Sequence, residues 1–274
     1  MKKSAISTLA LAALLLSACT SSSSTSVATS SNSVEWNIDS LTSIGGAPVS
    51  VMGNPQVVNS GLVKSSAGTA VAFDGDGDRL LVDANPLGDA TEFTIEIIFN
   101  PADAYPNNLE PRFFHIESPD NPNRRITIEL RLNDKKQWYL DAYIKSEKSQ
   151  FTLIDATKVH SVGGWAHAAV TYKNREFISY VNGKQELVGE VDYLPIAANA
   201  KTSIGARMNQ VHWFNGEIAW VKITKKVLTP DEFLLLSDCS ILILFDFVVT
   251  EVSFIGDIVV CAVICADNDS FESV

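Results

Sequence analysis

Between residues 34 and 236 apolar and polar positions alternate in short runs rich in β-branched and aromatic side chains, with turn signals between them. The runs at 69–73, 79–82, 93–99, 112–116, 165–172, 177–181 and 218–223 each read as a strand. Val181-Asn182-Gly183-Lys184 places Asn and Gly where a two-residue type I′ hairpin turn needs positive φ. The only helical signal in this region is a short cap-and-turn at Thr229-Pro230-Asp231-Glu232-Phe233. Many strands at short spacing predict an all-β, antiparallel two-sheet jelly-roll sandwich.

The stretch 126–144, ITIELRLNDKKQWYLDAYI, predicts a hairpin. Ile126, Ile128, Leu130 and Leu132 alternate with polar residues, as do Trp138, Leu140, Ala142 and Ile144. Cross-strand partners share a face, so a turn centred on Lys135 sets Leu132 opposite Trp138 and Leu130 opposite Leu140. The other row then pairs Arg131 with Tyr139, Glu129 with Asp141 and Thr127 with Tyr143. Two carboxylates directly opposite each other destabilise a sheet, and a broken local rule is where a site is sought. One reading is a plain solvated face, with Arg125, Arg131 and Lys145 neutralising the pair. The other is a ligand-binding row of Arg125, Glu129, Arg131, Tyr139, Asp141 and Tyr143.

The two ends differ from this middle. Residues 1–18 carry Lys2-Lys3 and a short apolar run, and Leu16-Ser17-Ala18-Cys19 resembles the lipobox of bacterial lipoproteins. That resemblance implies lipidation at Cys19, and Thr20 in place of Asp implies an outer-membrane address; an ordinary secretory signal is the alternative. Residues 19–33, dominated by Ser and Thr, read as a flexible tether. The formal net charge is −11, and loss of Lys2 and Lys3 with the leader would take it to −13 (19 basic, 32 acidic). Such a balance argues against a nucleic-acid or anionic-lipid surface. Cys239, Cys261 and Cys265 and the four His show no zinc-site spacing.

Residues 237–274 are apolar, β-branched and dotted with acids, and no Lys or Arg follows Lys226. Asp246, Glu251 and Asp257 interrupt this stretch before it reaches the about 18 apolar residues of a membrane span. An extra strand pair and translation in an altered reading frame are the two accounts; the abrupt change of composition favours the second.

The segments VAFDGDGDRLLV (71–82), EFTIEIIFNP (92–101), GGWAHAAVTYKNREFISYVNGK (163–184), TSIGAR (202–207) and FNGEIAWVKITKKVLTPDEF (214–233) occur in an order that resembles the laminin-G-like jelly rolls, relatives of concanavalin A-like lectins, glucanases and pentraxins. Trp165, Phe177 and Tyr180 are expected in or beside the core, and His167 as a hydrogen-bonded core histidine. Calcium in such folds sits near the turn occupied here by Asp74, Asp76 and Asp78, so the resemblance implies a Ca2+ site there. The spacing fails as an EF-hand, because Arg79 and Asn85 occupy its sixth and twelfth positions. The loop after Ile204-Gly205 supplies Ala206, Arg207, Met208 and Asn209 where pentraxin-like members offer acids and amides.

The paired catalytic Glu motif of glucanases on this fold is missing, and no catalytic residue is assigned. The expectation is a non-catalytic, cell-envelope domain that binds a polysaccharide or glycoconjugate. A protein-docking adhesion module, recruiting Trp213-Phe214 or the 105–109 loop, is the alternative. A glycan-cleaving enzyme using Glu129 and Asp141 ranks behind both.

Overall fold

The computed structural model describes residues 32–62, 68–234 and 236, with the backbone of 254–255 and 258–259. The leader, Cys19 and most of the tether and of 237–274 lie outside the described residues. The strands begin with β1 (Ser33–Asn37), β2 (Ser43–Ile44), β3 (Ala47–Met52), β4 (Gln56–Asn59), β5 (Thr69–Asp74) and β6 (Arg79–Val82). The middle of the chain forms β7 (Phe93–Pro101), β8 (Arg112–Ser118), β9 (Asn121–Leu132), β10 (Gln137–Lys145), β11 (Gln150–Ile154) and β12 (His160–Ser161). It continues with β13 (Ala166–Lys173), β14 (Glu176–Val181), β15 (Lys184–Glu190), β16 (Lys201–Ile204) and β17 (Asn215–Thr224). In the tail, β18 (Phe254–Ile255) and β19 (Ile258–Val259) pair with each other.

Two antiparallel sheets make the sandwich. The first runs β15-β14-β13-β7-β17-β5-β4, with β1 on β17. The second runs β11-β10-β9-β8-β16-β6-β3-β2, with β12 on β10. Alternation along each strand sends one row inward. Ile95, Ile97 and Phe99 of β7 thus share a core with Ile126, Ile128 and Leu130 of β9 and Trp138 and Leu140 of β10. Phe99 lies at its centre, stacked on Phe113 at 4.7 Å and edge-on to Trp138 at 5.3 Å. Phe214 belongs to the same cluster and is fully buried, so it is a core residue and unavailable as a loop aromatic. Asn182 and Gly183 both adopt positive φ, as a type I′ turn requires. Gly216 has φ 138° and leaves no room for a side chain, since a Cβ there would lie 2.3 Å from the Asn100 carbonyl oxygen.

The sheets differ in what covers their outer faces. Strand β7 is buried on both sides, because the 228–234 segment covers its outer row. The Leu228 amide donates to Thr94 Oγ1 and the Leu234 amide to Glu96, while Leu228 and Phe233 pack over Ala169 and Tyr180 of β13 and β14. A short 3-10 turn, Pro230–Glu232, directs that segment, with the Thr229 amide donating to the Glu232 carboxylate at 2.8 Å. Over β8, β9 and β10 the outer face instead holds an open cleft.

Candidate functional site

The hairpin of β9 and β10 builds the floor of this cleft. Asn133 closes its turn, accepting from the Lys135 and Gln137 amides through its side-chain oxygen. The register is the one the alternation predicts, with Leu132 opposite Trp138, Glu129 opposite Asp141 and Thr127 opposite Tyr143. Strand β8 continues the rows, placing Arg112 beside Glu129, His115 beside Thr127 and Glu117 beside Arg125. The cleft measures about 200 Å³ and is lined by Arg112, Arg125, Thr127, Glu129, Arg131, Asp141, Tyr143, Thr152 and Arg207.

The carboxylates are not on a plain solvated face. Glu129 is 5% exposed and Asp141 2%. Of the three expected cations only Arg131 pairs with either acid, and Arg112, which was not expected, holds the other. Arg112 Nε lies 2.7 Å from Glu129 Oε1, and Arg131 reaches Asp141 Oδ2 with Nε and Nη2, each at 2.7 Å. Glu110 at the rim joins both cations, 3.2 Å from Arg112 Nη2 and in contact with Arg131 Nη1. Lys145 instead stands opposite Arg125. Burying two acids side by side is tolerable because two guanidiniums enter with them; unpaired, either charge would be prohibitively costly.

Burial still governs their titration. It pushes the Glu129 carboxyl above its ordinary value, with Arg112 opposing and Asp141 adding to the rise. Asp141 is likewise raised by burial against the pull of Arg131. For Glu117 burial acts upward too, but His115, Arg125 and Arg207 outweigh it and hold the carboxyl below its ordinary value.

The opposite wall is cationic. The Arg125 guanidinium stands over the Tyr143 ring at 5.3 Å, and its Nη1 donates to the Pro122 carbonyl. Arg207 arrives on the loop after β16. That loop is tied down where the Met208 amide donates to His115 Nδ1 at 2.9 Å, and where Arg112 N donates to the His212 carbonyl at 2.9 Å. His115 accepts on Nδ1, so its proton sits on Nε2, 3.3 Å from Glu117, and burial lowers its pKa. Burial, then repulsion from Arg112 and Arg125, lowers the pKa of Arg207. Arg112 Nη1 and Arg125 Nε are buried without a hydrogen-bond partner, and Arg112 Nε meets Glu129 only as an ion pair.

Five of the six expected row residues therefore meet in one cleft. Tyr139 stands opposite Arg131, outside the lining. Arg112 and Arg207 complete the site, although neither stood out in the hydrophobic pattern. Asp74, Asp76 and Asp78 gather at another turn. Asp78 is buried and accepts from the Asn54 amide at 2.6 Å through Oδ1 and from the Asp74 amide at 3.0 Å through Oδ2. Asp74 Oδ1 in turn accepts from the Asp76 amide. Calcium needs six to eight oxygens turned toward it, whereas here N–H groups occupy both Asp78 oxygens. Among the described residues no three His, Cys, Asp or Glu converge as a cation cage. The acids present do not fit a calcium site.

Comparison with known proteins bears on the fold. The chain is similar over 75% of its length to domain 4 of AbnA, a GH43 extracellular arabinanase from Geobacillus stearothermophilus solved with arabinotriose. That match covers 96% of the other chain at 17% identity, with a TM-score of 0.55. It is also similar to the binding domain of botulinum neurotoxin DC, solved with rat synaptotagmin II. Here the identity is 17% and the TM-score 0.51, and 73% of this chain matches 50% of the toxin chain. The receptor-binding domain of the botulinum neurotoxin C/D mosaic serotype matches at 12% identity, with a TM-score of 0.52 over 73% of this chain and 49% of the other. The chain thus spans about half the length of these toxin chains. No curated protein matches in sequence. A family model covers residues 74–233, more than half of the chain, and includes every strand that lines the cleft. The chain belongs to the Laminin_G_3 family of the concanavalin A-like lectin/glucanases superfamily.

Proposed function

We propose that this domain is a recognition module that binds a glycan in the cleft over β8, β9 and β10. The observation that carries the reading is the row of buried, paired charges opening onto that cleft. Arginine and carboxylate groups held in place by each other satisfy sugar hydroxyls as donors and acceptors without further ordering, and Thr127, Thr152 and Tyr143 add hydroxyls. The arabinanase domain, solved with arabinotriose, and the neurotoxin binding domain, solved with rat synaptotagmin II, are fold relatives, which supports a binding role in general.

Catalysis by Glu129 and Asp141 is the weaker reading. Each acid is held by its own arginine, Asp141 by two guanidinium nitrogens on one oxygen, and a carboxylate so engaged is a poor nucleophile. Docking of a protein is the second binding reading, favoured by the exposed Tyr105 and Leu109. The envelope location is proposed on the lipobox alone: metabolic labelling with a radioactive fatty acid should mark the chain, and Cys19→Ser should abolish the label.

The test is a polysaccharide and oligosaccharide array probed with the full chain, with calcium and with chelator. Saturable binding to one sugar class, unchanged by chelator and weakened by Arg131→Gln, is expected. A folded chain that binds no sugar would overturn the glycan reading, and release of reducing ends on incubation would restore the enzyme.

A further inference from the structure

The cleft carries an excess of positive charge in an otherwise acidic protein. Its lining contains four arginines and two acids, and with Glu110 at the rim, which pairs with Arg112 and Arg131, one positive charge is left over, against −11 for the whole chain. Arg131 is neutralised by Asp141 and Glu110, and Arg112 by Glu129. Arg125 and Arg207 form no ion pair among the described residues, and the carboxylate they act on is Glu117, beside Arg125 on β8 and already 3.3 Å from His115 Nε2. Nη1 of Arg112, a residue 7% exposed, is buried and lacks an acceptor, as does Nε of Arg125. Leaving charged donors buried and unsatisfied is unfavourable unless another group completes them.

Resting on the glycan reading of this same cleft, we infer that its ligand is an acidic sugar unit, whose carboxylate or sulfate group is received by Arg112, Arg125 and Arg207. An oxyanion supplies the acceptors that the guanidinium nitrogens lack and relieves the repulsion among the three cations. Guanidinium groups suit this role because their planar donors match an oxyanion in pairs. Glu129 and Asp141 limit the surplus charge and turn acceptor oxygens toward the sugar hydroxyls. The loop after Ile204-Gly205, where the family resemblance leads one to seek cation ligands, presents Arg207 and so has the opposite sign.

The acidic surface of the remainder of the chain suppresses diffuse attachment of polyanions, so acidic-ligand binding reports the cleft. The experiment uses the full chain and four probes: an oligogalacturonate, the same oligomer with its carboxyls reduced, a sulfated oligosaccharide and free glucuronate. Titration calorimetry should show the oligogalacturonate or the sulfated oligomer binding at least about tenfold more tightly than the reduced oligomer, as loss of one charge-assisted hydrogen bond implies. Preference between the two acidic probes identifies the anion, and free glucuronate shows whether one unit suffices. Arg207→Gln and Arg125→Gln should each weaken acidic binding about tenfold or more, while Lys184→Gln, an exposed change on β15 of the other sheet, should not. Arg207 has no ion partner to lose, so its variant is expected to fold even if an Arg112 variant does not.

Equal affinity for the acidic and reduced oligomers overturns the acidic assignment and leaves the glycan reading standing. Failure of every sugar to bind overturns both. Acidic binding weakened as much by Lys184→Gln as by Arg207→Gln also overturns it, since attraction would then be diffuse.

Discussion

Both outer faces of this sandwich bury carboxylates, yet the two are finished differently. On the first sheet, fully buried Glu96 accepts from the Leu234 amide at 2.8 Å and lies 3.2 Å from His167 Nε2. Its cover is the chain itself: residues 228–234 lie across the sheet, with Phe233 packed against His167 and Tyr180. On the second sheet, Glu129 and Asp141 are almost as deeply buried, but arginines hold them and nothing in the described chain closes over them. A buried acid alone therefore does not mark a site. Glu96 Oε2 and His167 Nδ1 also lack a hydrogen-bond partner, but they lie under the chain's own cover. The unsatisfied arginine donors instead lie beneath an opening and are poised for a partner.

The contrast is broken most strongly at Glu96. Glu96→Ala removes the acceptor of the Leu234 amide and the partner of His167, and should cost about 2–5 kcal/mol in chemical denaturation, from two buried groups left unsatisfied at about 1–3 kcal/mol each. A loss below about 1 kcal/mol would show that the 228–234 segment does not depend on this acid.

Asp78 is a second buried acid that accepts from backbone amides. Asp78→Ala should cost about 1–3 kcal/mol by leaving the Asn54 and Asp74 amides unsatisfied. Chelator should leave the melting temperature of the wild-type chain unchanged. A fall on chelation, reversed by calcium, would restore a cation role for this turn.

Titration sharpens the second face. Glu129 and Asp141 have folded-state pKa values raised by burial. In the window between the ordinary carboxylate value and the raised one, the folded chain binds more protons than the unfolded chain, so stability falls as pH rises through it. Glu117, held below its ordinary value, works in the opposite sense and loses its contribution as pH falls through its lowered folded value. The double variant Glu129→Gln, Asp141→Asn should abolish the decline that begins as pH rises past the ordinary carboxylate value. Parallel urea-stability profiles for variant and wild type would refute this account. The groups facing Glu129 are Arg112, Asp141, Thr127, Tyr143 and Arg207, and Asp141 is the other carboxyl among them.

The smallest stability effect is expected where the binding effect is large. Arg207→Gln should change stability by no more than about 0.5 kcal/mol, in the stabilising direction if relief of repulsion dominates. A larger loss would make Arg207 a structural residue of the loop.

How much of this was readable beforehand follows from the local geometry. The register of β9 and β10 was legible because both strands send an unbroken apolar row into the core, and a slip of one residue would expose all of it. Arg112 was hidden by a bulge. Between Arg112 and Phe114 the pairing with β9 shifts, Phe113 and Phe114 both enter the core, and the parity that would place Arg112 beside Glu129 is lost. Arg207 was hidden because it comes from a loop, and the bond fixing that loop joins Met208 to His115 across 93 positions of sequence. Phe214 was misplaced for a related reason: a short segment between turn signals shows no period, and only packing against Phe73, Phe99 and Phe113 assigns it to the core.

By itself the sequence determined the sandwich, its hairpins and the meeting of Glu129 with Asp141, because period-two alternation and turn chemistry act over a few residues and need no distant partner. The tertiary structure alone decided that this meeting place is a buried, arginine-rich cleft. Burial and charge compensation depend on which strands and loops neighbour one another across the sheet, and here those neighbours, Arg112 on β8 and Arg207 after β16, come from opposite sides of the hairpin in sequence.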